Sequence, residues 1–142
     1  MDFKFEESIG YYLNRATMVM RNSLQRAIAK KYPEITVDYW VVLNRLWVKG
    51  GWSQSELAKL TNKDNASMTR ILDGMQKKGL IDRMRDKYDR RAHKIYKTYK
   101  GDQLEEPLKQ IAYDNMMKGL ENFSPEEIEN LKSLLNRIIK NY

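Results

Sequence analysis

The sequence predicts one domain of mainly α structure with a small β element, an α+β class, and three observations carry that prediction. Two short helix signals stand in tandem: Ser53-Gln54-Ser55-Glu56 opens one and Asp64 opens the next. Two β-rich segments, 80–85 and 92–98, follow at once, joined by the polar tip Asp86-Lys87-Tyr88-Asp89-Arg90-Arg91. Long apolar stripes at helical spacing occupy both ends of the chain. A length of 142 residues suits a single domain with a real core.

Taken in order, residues 5–31 read as one long helix. Ile9, Leu13, Ala16, Met20, Leu24 and Ala27 recur every three or four residues, with Tyr12 and Ile28 beside them. Tyr32-Pro33 ends it. Thr36 caps a helix from 37 to about 49, made strongly apolar by Trp40, Val41, Leu43, Leu46 and Trp47, and Gly50-Gly51 closes it. Trp40 and Trp47 read chiefly as core. Trp52 begins a short strand expected to pair with the later hairpin.

Ser53-Gln54-Ser55-Glu56 is a capping box, a Ser and a Glu three residues on, each satisfying an amide of the other. Leu57, Ala58 and Leu60 give the helix one apolar stripe, and it should end near Asn62. Asp64 then caps a helix that runs to Lys78, where Gly79 stops it. A short helix, a tight turn and a second helix form a helix-turn-helix, whose second helix enters the DNA major groove. Met68, Ile71, Leu72 and Met75 should face the core. Ala66, Arg70, Asp73 and Lys77 then point outward, flanked by Ser67 and Thr69. Arg70 has the chemistry to pair with a phosphate or, bidentately, with a guanine edge. Ala66 and Gly74 are small and would let the helix axis approach DNA closely. Asn65, Ser67 and Thr69 lie in the first turns, which usually meet base edges.

The two strands with their basic tip read as a wing, able to lay Arg on the DNA backbone or in a narrow minor groove. A solvated amphipathic helix and an ordinary charged hairpin are the plain alternatives. Charge tells against them: residues 53–101 hold 13 Lys+Arg against 6 Asp+Glu, while the remainder holds 13 against 13. The whole net charge of +7 therefore sits in this third of the chain, which points to a polyanionic partner. The fold expected is a winged helix-turn-helix flanked by N- and C-terminal helices.

Residues 101–120 read as another helix, with Leu104, Leu108, Ile111 and Met116 on or near one stripe and Pro107 in its second turn. Ser124-Pro125-Glu126-Glu127 is a capping box with Pro at the first helical position. Ile128, Leu131, Leu134, Leu135 and Ile138 follow at helical spacing up to Lys140. These stripes exceed what one small winged core must cover, so the terminal helices read as a homodimer interface.

Charged residues make up 32% of the chain and no apolar run approaches the ~20 residues of a membrane span, so a non-membrane protein is expected. The start, MDFKFEESIG, lacks a basic segment followed by an apolar one, and the expected location is cytoplasmic. With no Cys, thiolate nucleophiles and Cys-based metal sites are excluded. The single His93 lies in the wing and reads as a surface or phosphate-facing residue, since one His cannot build the usual zinc site. No Gly-rich phosphate loop and no recognisable pair of catalytic carboxylates occur. No cofactor or metal is therefore expected, and an enzyme is disfavoured.

Leu57-Ala58, Asp64, Thr69-Arg70, Leu72-Asp73, Lys77-Lys78-Gly79-Leu80-Ile81 and Asp89-Arg90-Arg91 resemble the winged-helix core of the MarR family of bacterial and archaeal regulators. The family's wing signature is met by Asp89, Arg91, Ile95, Thr98 and Gly101. The resemblance covers nearly the whole chain. It implies one MarR-like domain, with residues 1–34 and 102–142 as dimerisation helices and 36–101 as the DNA-binding lobe. It implies that Arg91 enters the minor groove and that Asp89 orients it. Lys97 stands where the family usually has Leu, Ala66 and Ser67 replace a common Ser-Thr pair, and Asn65 replaces a common Lys. These departures bear on which sequence is read.

Residues and resemblance together assign double-stranded DNA as the partner and Ser53, Gln54, Asn65, Ala66, Ser67, Thr69, Arg70, Lys77, Lys87, Arg90 and Arg91 as its contacts, with amides at the 53–55 helix start on phosphates. The resemblance also implies repression by occupying a promoter, relieved when a small, often aromatic molecule binds between the dimer helices and the lobe. Tyr12, Arg15, Tyr39, Trp40 and Tyr113 could supply such a pocket, although the chain's aromatic residues are equally compatible with ordinary packing. One other reading stays open, a winged helix that binds nucleic acid without sequence preference; the concentrated charge and Arg91 argue against one that serves protein contact alone. Operator, effector, regulated genes and the sign of regulation are not in the sequence.

Overall fold

The computed structural model describes residues 1–89 and 91–142. Among these residues seven α-helices and three strands run in the order α1 (Ile9–Lys31), α2 (Val37–Val48), β1 (Trp52–Ser53), α3 (Gln54–Leu60), α4 (Asn65–Lys77), β2 (Ile81–Arg85), β3 (His93–Lys97), α5 (Tyr99–Gln103), α6 (Glu105–Gly119) and α7 (Pro125–Lys140). The mainly α expectation with a small sheet holds.

The helix starts are set by side chains that satisfy the first orphan amides. Thr36 accepts from the Tyr39 N–H, and Ser53 and Ser124 each form a reciprocal capping box with Glu56 and Glu127. The first helix begins later than periodicity suggests. Ser8 is extended and accepts from the Tyr11 N–H, so Phe5–Glu7 forms a separate 3-10 turn. The 101–120 helix is likewise two helices. Thr98 caps α5 through the Gly101 N–H at 3.1 Å, and α6 restarts at Glu105. Pro107 then falls in the first turn of α6, where its missing N–H costs no intrahelical bond.

The sheet is antiparallel in the order β1-β3-β2, with Trp52 opposite Ile95 and Arg83 opposite Ile95 on its other side. Trp52 thus pairs with the wing as expected. Lys97, at the end of β3, forms an ion pair with Asp102 of α5 at 2.6 Å.

The core lies where α2, α3, α4 and the sheet meet. Leu43, Leu46, Leu57, Met68, Leu72, Met75, Leu80, Ile81 and Ile95 are fully buried there. Ile28 of α1 and Leu108 of α6 extend it towards the terminal helices. Met68, Leu72 and Met75 are buried as the spacing predicted, with Ile71 half-buried, while Leu60 is exposed because α3 ends there. Trp40 and Trp47 pack edge to face at 5.6 Å against the core, and the Trp47 indole donates to the Gly101 carbonyl at 3.0 Å.

The terminal helices are different. No side chain of α7 is buried, and Leu131, Leu134, Ile138 and Ile139 stand exposed. Along α1, Ile9, Tyr12, Met18, Val19 and Met20 are exposed too, and only Ile28 is buried. Where α1 leaves the lobe it is tied to it by charge. Asp38 of α2 takes Arg21 of α1 at 2.8 Å and Lys63, in the turn before α4, at 3.1 Å. Burial pushes the Asp38 pKa up, but the bonds and charges of Arg21 and Lys63 outweigh that and hold it below the usual carboxylate value.

A depressed folded pKa contributes stability that is complete above the unfolded carboxylate value of ~3.9 and lost as pH falls through the folded value. In urea unfolding, Asp38→Asn should therefore lower stability at pH 7 and narrow its gap to wild type as the pH is taken below 4. At Gly101, a Cβ would collide with the Leu80 carbonyl, a backbone atom that cannot step aside. Gly101→Ala should cost about 1–3 kcal/mol in thermal unfolding.

Candidate nucleic-acid interface

Burial of one face of α4 decides what its other face shows. Asn65, Ala66, Thr69, Arg70 and Lys77 are exposed, and Ser67 is half-buried. Asp64 holds the helix start: its carboxylate accepts from the Ser67 N–H at 2.7 Å and from the Ser67 hydroxyl at 3.1 Å. Those bonds, the backbone one foremost, keep Asp64 ionised below the usual carboxylate range. Gln54 of α3 reaches across to donate to Thr69 Oγ1 at 2.6 Å and to the Asn65 carbonyl at 3.3 Å. Two expected DNA contacts, Gln54 and Thr69, are therefore bonded to each other and brace α3 against α4.

Asp73 is exposed on the outward face as expected, and there it pairs with Arg83 of β2 at 2.7 Å. One expectation on α4 changes. Gly74 does not serve an approach to DNA: the Tyr39 hydroxyl of α2 occupies the space where its side chain would be. The small residue admits a neighbouring helix.

Arg83, not singled out in the sequence, joins wing to helix. Besides Asp73 it donates to Gln76 Oε1 at 2.6 Å, and its side chain is only 18% exposed. Strand alternation carries the signal, since Arg83 lies two residues from the buried Ile81 and opposite the buried Ile95. Beside it, Ser53, Gln54, Ser55, Arg91 and His93 line a groove of about 280 Å³ between the α3 start and the wing. Three polar residues of a helix start and two arginines thus share one concavity.

The tip is tied by two carboxylates. Asp86 accepts from the Tyr88 N–H at 2.8 Å and Asp89 from the Arg91 N–H at 3.0 Å. Asp89 thus holds Arg91 through its main chain. The Tyr88 bond, with Lys94 nearby, lowers the Asp86 pKa. Lys87 is exposed on the tip, and Arg90 lies outside the described residues.

Of the five effector candidates, Tyr12 and Arg15 line a groove of about 470 Å³ with Val19, Met20, Phe123 and Leu131. Tyr39 packs on Gly74, Trp40 on Trp47, and Tyr113 stands exposed on α6.

The MarR family model matches residues 35–93, which span α2 through the start of β3. Over these residues the chain is similar to the MarR family. A probable transcriptional regulator from Pseudomonas aeruginosa is 27% identical at a TM-score of 0.84, covering 95% of this chain and 99% of that one. Two further structures share the fold. One, 24% identical at a TM-score of 0.87 with 97% of each chain covered, concerns how 6-hydroxynicotinic acid regulates DNA binding by Bordetella bronchiseptica BpsR. The other, 22% identical at 0.86 and covering 95% of this chain and 98% of that one, is an S. aureus MepR–DNA complex. MarR proteins are transcriptional regulators, not enzymes, and this chain has their winged-helix fold. No helix among the described residues is long and apolar enough to cross a membrane.

Because Tyr39 fills the space above Gly74, Gly74→Ala should lower the melting temperature, and adding Tyr39→Phe should restore part of the loss. Equal melting of Gly74→Ala and wild type would place the glycine outside the α2–α4 contact.

Proposed function

We propose that this protein is a sequence-specific DNA-binding repressor that acts as a homodimer in the cytoplasm and is released from its operator by a small, aromatic ligand. The observation that carries the reading is a shared surface. The exposed Asn65, Ala66, Thr69 and Arg70 of α4 stand beside a groove holding Ser53, Gln54 and Arg91, in the segment that contains the whole net charge. In this reading α4 lies in the major groove with Ser67 and Lys77 at its margins. Lys87, Arg90 and Arg91 of the wing reach the adjacent minor groove, and Asp89 positions Arg91.

The dimer is supported by α7, a helix with an apolar stripe and no buried residue, together with the exposed half of α1. Residues 1–34 and 102–142 would form the dimer layer and 36–101 the reading lobe. A two-fold dimer would bind a pseudo-palindrome with half-sites about one turn (~10 bp) apart. Ligand release is supported by the resemblance and by the BpsR structure, whose subject is regulation of DNA binding by a small aromatic acid. A ligand would act by preferring a lobe spacing that does not fit DNA. Tyr12 and Arg15 begin such a site, and Tyr39, Trp40 and Tyr113 would join it only across the assembled dimer. The second reading, a winged helix that binds nucleic acid without sequence preference, rests on the same charge.

Selection from a randomised duplex pool at near-physiological salt tests the two. Recovery of a two-fold symmetric motif favours the repressor; unspecific, salt-sensitive binding alone favours the second reading. On the recovered motif, Arg70→Ala should weaken binding about 5- to 150-fold, the range of one bidentate base contact. Log affinity should fall with log salt at about −0.9 per phosphate contacted. Wild-type affinity in Arg70→Ala would displace the reading face from α4.

A further inference from the structure

The first turns of α4 look polar in sequence, yet much of their hydrogen-bonding capacity is spent inside the protein. A threonine hydroxyl has one proton and two lone pairs. The Thr69 hydroxyl gives its proton to the Asn65 carbonyl at 2.9 Å and accepts from Gln54 Nε2 at 2.6 Å. The same nitrogen donates to the Asn65 carbonyl at 3.3 Å, so its two protons meet two acceptors and the three groups close a ring. One orientation of the Gln54 amide satisfies that ring. Turned over, its oxygen would face the Asn65 carbonyl, and Thr69 has no second proton to offer it. Ser67 is committed in the same way, through its hydroxyl to Asp64 at 3.1 Å.

What faces outward follows by subtraction. Thr69 is exposed, and with its hydroxyl held against Asn65 and Gln54 the group it has left is its methyl. Ala66 is exposed three residues earlier on the same helix face and carries a second methyl. Gln54 keeps its amide oxygen, an acceptor. The Gln54–Thr69 pair therefore offers a methyl and acceptors but no proton.

The four bases answer such a pair differently in the major groove. Guanine presents only acceptors, which meet it poorly. Adenine and cytosine present an amino group and no methyl. Thymine presents a C5-methyl, against which the methyls of Thr and Ala pack. We propose that Thr69, assisted by Ala66, is a specificity-determining residue that reads thymine through its methyl rather than a base through its hydroxyl. Gln54 is the positioning residue that decides which group of Thr69 meets the DNA. This rests on the reading of α4 as the major-groove helix and names what one position of that helix recognises.

The test removes the methyl from the DNA. In the motif recovered by selection, each thymine of a half-site is replaced in turn by deoxyuridine, which keeps the hydrogen-bonding groups of thymine and lacks its C5-methyl. One replacement should weaken wild type about fourfold, the transfer free energy of about one buried carbon expressed as a ratio. That thymine-to-uracil ratio is then compared among variants, because losses of folding or of phosphate contact cancel in it. Thr69→Val, which keeps a methyl and lacks the hydroxyl, should hold the ratio. Thr69→Ser, which keeps the hydroxyl and lacks the methyl, should bring it close to one, and Gln54→Ala should lower it. A motif with no methyl-sensitive thymine, an unchanged ratio in Thr69→Ser or Gln54→Ala, or a ratio lost in Thr69→Val each overturns the proposal. Failure of selection to return any motif, or wild-type affinity in Arg70→Ala, would instead remove the reading of α4, and this inference with it.

Discussion

Burial of Met68, Leu72 and Met75 is the constraint on which the proposed reading surface depends. All three are sealed into the core with Leu43, Leu46, Leu57 and Ile95. At roughly 1.5–3 kcal/mol for each fully buried side chain, no polar contact on the outside competes with them. A turn of α4 by one residue, about 100°, would lift this set into water and drive Arg70 towards the core. The contact of Tyr39 with Gly74 adds a steric lock to the same setting. The display of Asn65, Ala66, Thr69 and Arg70 is thus a consequence of packing on the opposite face.

The polar ties around α4 refine this arrangement rather than create it. The Gln54–Thr69 and Arg83–Asp73 contacts lie at partly exposed sites, where a pair contributes about 0–1 kcal/mol. Their effect is geometric: one sets α3 against α4 and the other sets the wing against α4. Asp38 does the same between layers, because its carboxylate touches both the long terminal helix and the turn that leads into α4.

Much of this was legible in the sequence because it is local. Capping boxes at Ser53 and Ser124, the Asp64 cap and the stop at Gly79, which adopts a φ of +71°, depend on residues a few positions apart. The inward stripe of α4 depends on helical period alone. What could not be read depends on distant neighbours. Gly74 looks like a concession to DNA until Tyr39 arrives from another helix. Thr98 outcompetes Gly101 as a helix start because its hydroxyl both caps α5 and donates to the Gly79 carbonyl at 2.6 Å. Arg83 looks like one more wing cation until Asp73 and Gln76 take hold of it. The scattered aromatics Tyr12, Tyr39, Trp40 and Tyr113 belong to three different helices, and spacing along the chain says nothing of whether those helices bring them together.

The short strand β1 has a consequence out of proportion to its two residues, Trp52 and Ser53. It is a rung of the wing's sheet, and its last residue is also the cap of α3. The hairpin and the helix pair are therefore riveted through one piece of backbone, with Arg83 as a second rivet on the far side. Such a tool behaves like the jaw of a caliper that keeps its own profile. In the dimer proposed above, only its separation from the opposite jaw would be adjustable, so control over binding would fall to the long helices that set that separation, while the choice of sequence would stay with the jaw.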